Sequence, residues 1–322
     1  MQGLMNKLLC LWENSQIFAN KKKKQHYVWR RYLKPWQVES KIVCMRNKKN
    51  IFSTSDLMNI GQQSYFYKVN KLSPEDIEFV RGMFLSDVSE FVDSVYSRLF
   101  SLFLNIEKLD KLKVDSTDDK LETLRKNYAN NLEEEIQSEI ESQGDKYLGE
   151  LLNGNTTFFN EEVGAAHFIN FICMQYLRTK KHHDNLVNMV TGPDKEKIIK
   201  CANLIRIVFS TKLAANLYCN RNKYKLVLAT NSSDTPLLTC DQPVVNFMAL
   251  NTPVGEQVEE FGLYYPISPD KAVFFVEKGM FSSITNMHFD AKTVDEFNNI
   301  MVDNSHEQVY SSSEKYLQNF LT

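Results

Sequence analysis

The spacing of apolar positions divides the chain into stretches with different periods. Near the start, Lys41-Ile42-Val43-Cys44-Met45-Arg46 and Asn50-Ile51-Phe52-Ser53 flank a polar turn at Asn47, Lys48 and Lys49, which predicts a hairpin. Ser64-Tyr65-Phe66-Tyr67 predicts a further short extended piece. From Ser73 the period changes. Ser73-Pro74-Glu75-Asp76 combines an N-cap, a proline at the first helical position and early acids. Apolar residues then recur in steps of three or four at Ile77, Val80, Phe84, Val88, Phe91, Val95, Leu99 and Phe103, which predicts one long buried helix. Residues 114–154 are more polar, with Glu133, Glu134, Glu135, Glu139 and Glu141 close together, yet Leu121, Leu124, Tyr128, Leu132 and Ile136 keep helical spacing. That stretch reads as an exposed helix with one docked face, or alternatively as an acidic binding arm.

Strongly apolar helical patterns follow over residues 161–190 and 193–218, and then the chain changes character. Tyr224-Lys225-Leu226-Val227-Leu228, Pro236-Leu237-Leu238-Thr239, Gly262-Leu263-Tyr264-Tyr265 and Ala272-Val273-Phe274-Phe275-Val276 are short β-rich runs, and residues 293–309 predict a closing helix. Strands grouped at both ends of a helical middle predict an α+β fold: a central helical bundle packed on a small mixed or antiparallel sheet built from N- and C-terminal strands. The predicted organisation is an N-terminal amphipathic helix and basic linker over residues 1–24, then a single α+β domain over 25–322 whose helical middle runs from about 73 to 219.

Composition narrows the function classes. Hydrophobic residues at 43% and charged residues at 24% of 322 are globular values, and 38 basic against 40 acidic residues leave a net charge of −2. Global charge therefore gives no reason to expect nucleic acid or membrane binding, and any basic site must be local. Six dispersed cysteines, most within apolar runs, read as buried thiols of a reducing compartment. Residues 1–19 carry Leu4, Leu8, Leu9, Leu11 and Trp12 but are interrupted by Asn6, Lys7 and Glu13. They predict a docking helix, with membrane-surface or dimer contact as alternatives, and not a spanning segment. The expected location is the cytoplasm.

Three polar clusters are candidates for chemistry. Lys21 to Lys24 lead into Gln25-His26-Tyr27-Val28-Trp29-Arg30-Arg31-Tyr32, where basic groups alternate with flat rings able to hold phosphates and stack bases; the alternative is a solvated linker. Gln175, Arg178 and His182 are spaced by three and four residues, so a continuous helix would present them on one face. A guanidinium leaving an apolar run needs an anion or several carbonyls, so Arg178 is either a buried ion pair or carbonyl cap, or a phosphate clamp. Asp241, in Thr239-Cys240-Asp241-Gln242-Pro243, either builds a turn or supplies an acid–base or metal-binding carboxylate, a metal then requiring a distant partner such as Glu161, Glu162 or Asp184. The adjacent His182 and His183 diverge on a helix and are expected at the surface. Phosphate-loop, dinucleotide, zinc-protease and nucleophile-elbow signatures do not occur, and no cofactor or metal is specified.

Taken together, Gln25-His26-Tyr27-Val28, Tyr32-Leu33, Gln175-Tyr176-Leu177-Arg178-Thr179, Thr239-Cys240-Asp241-Gln242-Pro243-Val244 and Tyr265-Pro266-Ile267-Ser268-Pro269 resemble, in order, the motifs of bacterial domain-of-unknown-function family 4238. That family opens with His-Tyr-Val-Pro-x-x-Tyr-Leu and continues with Gln-x-x-Arg-Thr, Thr-Ser-Asp-Asn-Pro-Val and Pro-Leu-Ser-Pro. Here Trp29 replaces the usual proline and Gln242 the usual asparagine. The resemblance implies an α+β domain, a role in anti-phage defence, because some relatives are encoded among such genes, and convergence of His26, Arg30, Gln175, Arg178 and Asp241.

The leading expectation is a defence effector acting on a phosphate-containing substrate, as a nuclease cutting RNA or DNA. In that reading His26, Arg178 and Asp241 are catalytic: His26 relays a proton, Arg178 stabilises phosphorane charge and Asp241 holds the imidazole or a metal. Arg30, Arg31, Gln175 and Tyr32 bind substrate. The alternative is a non-enzymatic sensor that recognises a phage protein, with His26 a satisfied core histidine.

Overall fold

A computed structural model describes residues 21–86, 88, 90–114, 119–188, 190–250, 252, 261–281 and 286–322. The helix expected within residues 1–19 lies outside the described residues. Strand β1 (Lys24–His26) pairs antiparallel with β4 (Gln62–Ser64), and between them lie the single helical turn α1 (Arg30–Leu33) and the predicted hairpin, β2 (Ile42–Arg46) and β3 (Asn50–Thr54). Asn47 and Lys48 both take φ +54°, the left-handed pair that matches a tight turn to the twist of its strands. The expected extended piece at residues 64–67 ends early, because Tyr65 also turns left-handed at φ +58°.

The long helix expected from Ser73 is two: α2 (Pro74–Phe84), which opens on a reciprocal capping box between Ser73 and Asp76, and α3 (Glu90–Val114). Apolar spacing alone did not register the break. Helix α4 (Asp119–Leu152) follows, and the apolar pattern of residues 161–190 also splits, into α5 (Glu162–Leu177) and α6 (Lys180–Asn188) with Arg178 as the C-cap of the first. Helix α7 (Lys195–Cys219) completes the bundle.

Beyond it, β5 (Tyr224–Asn231), β7 (Val245–Asn246), β8 (Gly262–Ser268), β9 (Lys271–Glu277) and β10 (Asn286–Phe289) form a mixed sheet in the order β10-β5-β9-β8-β7, with β10 parallel to β5. A second, antiparallel sheet, β3-β2-β11-β6, joins the N-terminal hairpin to β11 (Gln308–Ser311) and β6 (Thr239–Cys240). The class is α+β as expected, but among the described residues only this second sheet combines N- and C-terminal strands. The closing helix is shorter than expected: α8 (Ala291–Asn304) starts on the Asp290 N-cap, and Val309 belongs to β11. The short α9 (Glu314–Leu317) follows.

The five-stranded sheet is buried on both faces, which explains why its strands read as continuous apolar runs. Leu226, Leu228, Val273 and Phe275 join the helical core, whereas Val227, Ala229, Phe274 and Val276 alternate to the other face against Val294, Met301 and Val302 of α8. Among the described residues, no helix is long and apolar enough to cross a membrane, and the cysteines carry free thiols.

Helices α4 and α5 meet so closely at Gly144 that a Cβ there would sit 2.2 Å from the Phe171 ring, while Gly149, on the same helix, faces open space. Gly144→Ala should therefore lower stability by about 1–3 kcal/mol despite the better helix propensity of alanine, and Gly149→Ala should gain up to about 1 kcal/mol. Denaturant unfolding of the two variants checks both signs.

Candidate functional site

The segment from Lys22 to Lys34 is pulled against α4 and the end of α5 because its buried residues have nowhere else to go. Gln25 has no exposed surface: its side-chain nitrogen donates to the Asn130 carbonyl at 2.7 Å, and its oxygen accepts from the Tyr67 N–H at 2.6 Å. Asn130 and Asn131 of α4 hold the Lys22 backbone in turn, at 2.7 and 3.2 Å. This leaves a basin of about 680 Å³. Its rim carries Lys22, Lys23, Lys24, Arg30, Arg31 and Lys34, its wall Trp29 and Met58, and its deeper lining His26, Glu134, Gln137, Glu141 and Arg178.

Arg178 closes the basin. As the C-cap of α5 it lies where the helix dipole favours a cation. Its Nε donates to the Tyr67 hydroxyl at 2.9 Å, one terminal nitrogen pairs with Glu141 and the other donates to the His26 carbonyl at 2.6 Å. Burial opposes its charge, but Glu141 and then Tyr67 outweigh that and hold the guanidinium above its ordinary pKa. The ion pair and the carbonyl cap are thus both realised, and the expected open phosphate clamp is corrected: every nitrogen of Arg178 is engaged.

His26 is 7% exposed and neither ring nitrogen has a hydrogen-bond partner among the described residues, so it is not a satisfied core histidine. Burial, then Arg30, then Arg178 push its pKa down to about 4; the Ile60 carbonyl acts the other way without reaching hydrogen-bond geometry with the ring. The imidazole is neutral at pH 7, and both nitrogens are covered from solvent. Glu134, half-buried in the same lining, shifts oppositely: burial raises its pKa to about 7, against the pull of Arg178 and Lys22. Its Oε2 and the Oε1 of Gln137 are also buried without a partner. Burial disfavours charge on either group, leaving in one basin an unprotonated base and an acid that still holds its proton in part near neutral pH.

The remaining expected site residues divide. Arg30 and Arg31 are exposed on the rim, Arg31 paired with Asp145. Asp241 does not line the basin and is wholly buried. One carboxylate oxygen accepts from the His306 N–H at 2.8 Å and the other from Glu307 and Gln308 at 2.7 and 3.0 Å, which fastens β6 to the start of β11. Its expected catalytic or metal role is corrected to an architectural one, the turn-building alternative. Tyr32 is likewise sealed in, its hydroxyl between Thr239 Oγ1 at 2.6 Å and the Pro266 carbonyl at 2.7 Å, so it cannot meet substrate. Gln175 is buried with its side-chain nitrogen unpaired, outside the basin lining.

The break after Leu177 also separates His182 from Arg178, and His182 lines another hollow, with Gln242 and Asn246. His182 and His183 are half-buried rather than at the surface: His182 packs on Tyr176 with ring centres 4.8 Å apart, and His183 lies 3.2 Å from an Arg206 nitrogen. Glu134, Gln137 and Glu141 were missed because the acidic stretch of α4 reads as solvent-facing. It is largely an inner face, where Glu133 is fully buried against Arg206 at 2.5 Å and Asn203 at 2.6 Å. The one available signal was the demand for anions made by arginines in apolar helices. Among the described residues, no group of three or more His, Cys, Asp or Glu side chains is placed to hold a metal ion.

An α+β fold with a cation-rimmed basin closed by a capping arginine defines the structural class. The chain belongs to the family described as protein of unknown function DUF4238, whose pattern matches residues 24–315. No curated protein and no solved structure matches it.

Asp241→Ala should cost about 3 kcal/mol, because three N–H groups, that of Gln308 buried and those of His306 and Glu307 partly so, lose their acceptor at about 1 kcal/mol each; thermal or denaturant unfolding measures it. Glu134 gives a pH test. Its folded pKa lies above the ordinary 4.5, so its stabilising contribution is complete below about 4.5 and lost as pH rises through about 7. The unfolding free energy of Glu134→Gln relative to wild type, read from denaturant titrations, should therefore rise between pH 5 and pH 8, by up to about 1.4 kcal/mol per pKa unit removed.

Proposed function

We propose that this chain is an anti-phage defence effector that cleaves the phosphodiester backbone of RNA or DNA in the Arg178 basin. The observation that carries the reading is the coincidence of three side chains with buried, unpaired polar atoms, His26, Glu134 and Gln137, in one hollow rimmed by six lysines and arginines. Orphaned polar atoms cost stability and are kept where a ligand or reaction uses them. The defence setting comes from the family resemblance, and the unpaired thiols fit a cytoplasmic location.

The two shifted groups suit opposite halves of the reaction. A phosphate held by the rim cations offsets the field of Arg30 and Arg178, so the pKa of His26 climbs back toward the range useful for proton transfer. The same negative charge keeps Glu134 protonated. In this reading His26 takes the proton of the attacking hydroxyl or water as its oxygen bonds to phosphorus. Glu134 then gives its proton to the leaving oxygen as the phosphorus–oxygen bond breaks, and the rim cations stabilise the phosphorane between. Substrate must displace the cover over the His26 ring to reach it.

A second reading, in which the basin binds a polyanion without cutting it, is favoured by Arg178 and Asp241, whose polar groups are committed to the fold. Incubation with labelled RNA and DNA, and phage infection with inspection of total nucleic acid, separates the two. Cleavage should fall about 10²- to 10⁴-fold in His26→Ala and Glu134→Gln. The kcat/KM profile of wild type should rise near pH 4 and fall near pH 7, the upper limb disappearing in Glu134→Gln. Intact RNA and DNA with wild-type protein that still protects against phage would leave the binding reading alone.

A further inference from the structure

A second hollow, of about 310 Å³, lies against the same helix as the basin and is also lined by cations, among them Lys21, Lys68 and Lys126. The two are separated by the lysine run itself: Lys21 lines the smaller hollow, and Lys22, Lys23 and Lys24 line the basin. That run is pinned across α4 at Asn130 and Asn131 and tied on its other side by the Tyr65 N–H, which donates to the Lys23 carbonyl at 2.9 Å. Along α4, Lys126 belongs to the smaller hollow and Glu141 to the basin, about 22 Å apart at 1.5 Å per residue.

We propose that the two hollows form one continuous track for a single-stranded nucleic acid, entering at the basin and crossing the lysine run into the second hollow as an added, non-catalytic subsite. The inference rests on the basin being a phosphate site, not on cleavage. Three observations favour it. Twelve of the 38 lysines and arginines line the two hollows in a chain whose net charge is −2; Lys22, Arg31, Lys71, Arg125, Lys126 and Arg178 are ion-paired with carboxylates, and the other six have no ion pair among the described residues. Such segregation concentrates a positive field along one path, which is what a polyphosphate backbone reads. Rings also accompany these cations: Trp29 lines the basin, and Tyr65, half-buried and itself outside the lining of the second hollow, lies 4.2 Å beneath the ammonium of Lys21, which lines it. Alternating cations and rings hold a strand by its phosphates and its unstacked bases together. Finally, the deeper polar groups sit inside concavities. A flexible strand can bend into both, whereas a duplex, a stiff rod on this length scale, meets only the rims.

The test uses full-length His26→Ala protein, so that cutting does not confuse binding, and labelled oligothymidylate and oligouridylate of about 4 to 16 nucleotides, the range of known single-strand sites. Fluorescence anisotropy is read at several salt concentrations, beside a duplex of equal length. Affinity should climb with strand length until both hollows are spanned and then level off, and single strands should exceed duplex at least tenfold. Lys68→Ala and Lys126→Ala, both exposed and far from the basin floor, should each lower the salt slope for long strands by about 0.7 while leaving short ones unchanged. Affinity independent of length, equal duplex binding, or long-strand binding unmoved by both substitutions would overturn the track and leave the basin reading standing. Strands bound as described but never cut by wild type would keep the track and the phosphate site and overturn only the cleavage reading.

Discussion

The buried guanidinium of Arg178 is the constraint on which the site depends. A charge in the interior is tolerated only when it is paired and its donors are used. Arg178 meets that demand by gathering Glu141 from α4, the Tyr67 hydroxyl from the loop before α2 and the His26 carbonyl from β1. Segments more than 150 residues apart in sequence are thereby held around one group. The apolar helix ends at this residue, the lysine run is drawn across α4, and the space between them becomes the basin. Removing one partner would leave an uncompensated charge, a costlier outcome than losing one surface ion pair.

Helix α4 supplies the counterpart. Its acids face inward: Glu133 answers Arg206, Glu141 answers Arg178, and Glu134 lines the basin without a partner for Oε2. With those carboxylates inside or paired, the rim keeps Lys23, Lys24, Arg30 and Lys34 without an ion pair among the described residues although the chain as a whole is slightly acidic, while Lys22 and Arg31 are paired with Glu135 and Asp145. Burial then acts with opposite sign on two groups of the basin lining, lowering the pKa of His26 and raising that of Glu134. A base and an acid result from one cause.

Other polar residues with recognisable spacing serve the architecture. Asp241 gathers three backbone N–H groups and fixes the junction of β6 and β11, while Tyr32 ties α1 to Thr239 and the Pro266 carbonyl. Such motifs stand out in sequence because buried polar groups need defined partners, whether those partners are substrate or backbone. Residue type and spacing do not tell the two apart.

The sequence by itself determined the α+β class, the β2–β3 hairpin, the capped start of α2 and the local concentration of cations from Lys21 to Arg31, because each of these depends on periods, caps and turns within a few residues. It also established that Arg178 required an anion or several carbonyls. Which anion, and whether the stretch around Glu134 faced water or core, was decided only by tertiary packing, since an acidic helix has the same local pattern whether it is solvated or is answering buried arginines. The same limit hid the helix breaks before Glu90 and after Leu177 and the capture of Val309 by a sheet. After Leu177 the long-range bonds of Arg178, and at Val309 the strand pairing, overrode a local period, and such contacts exist only once distant parts of the chain have come together.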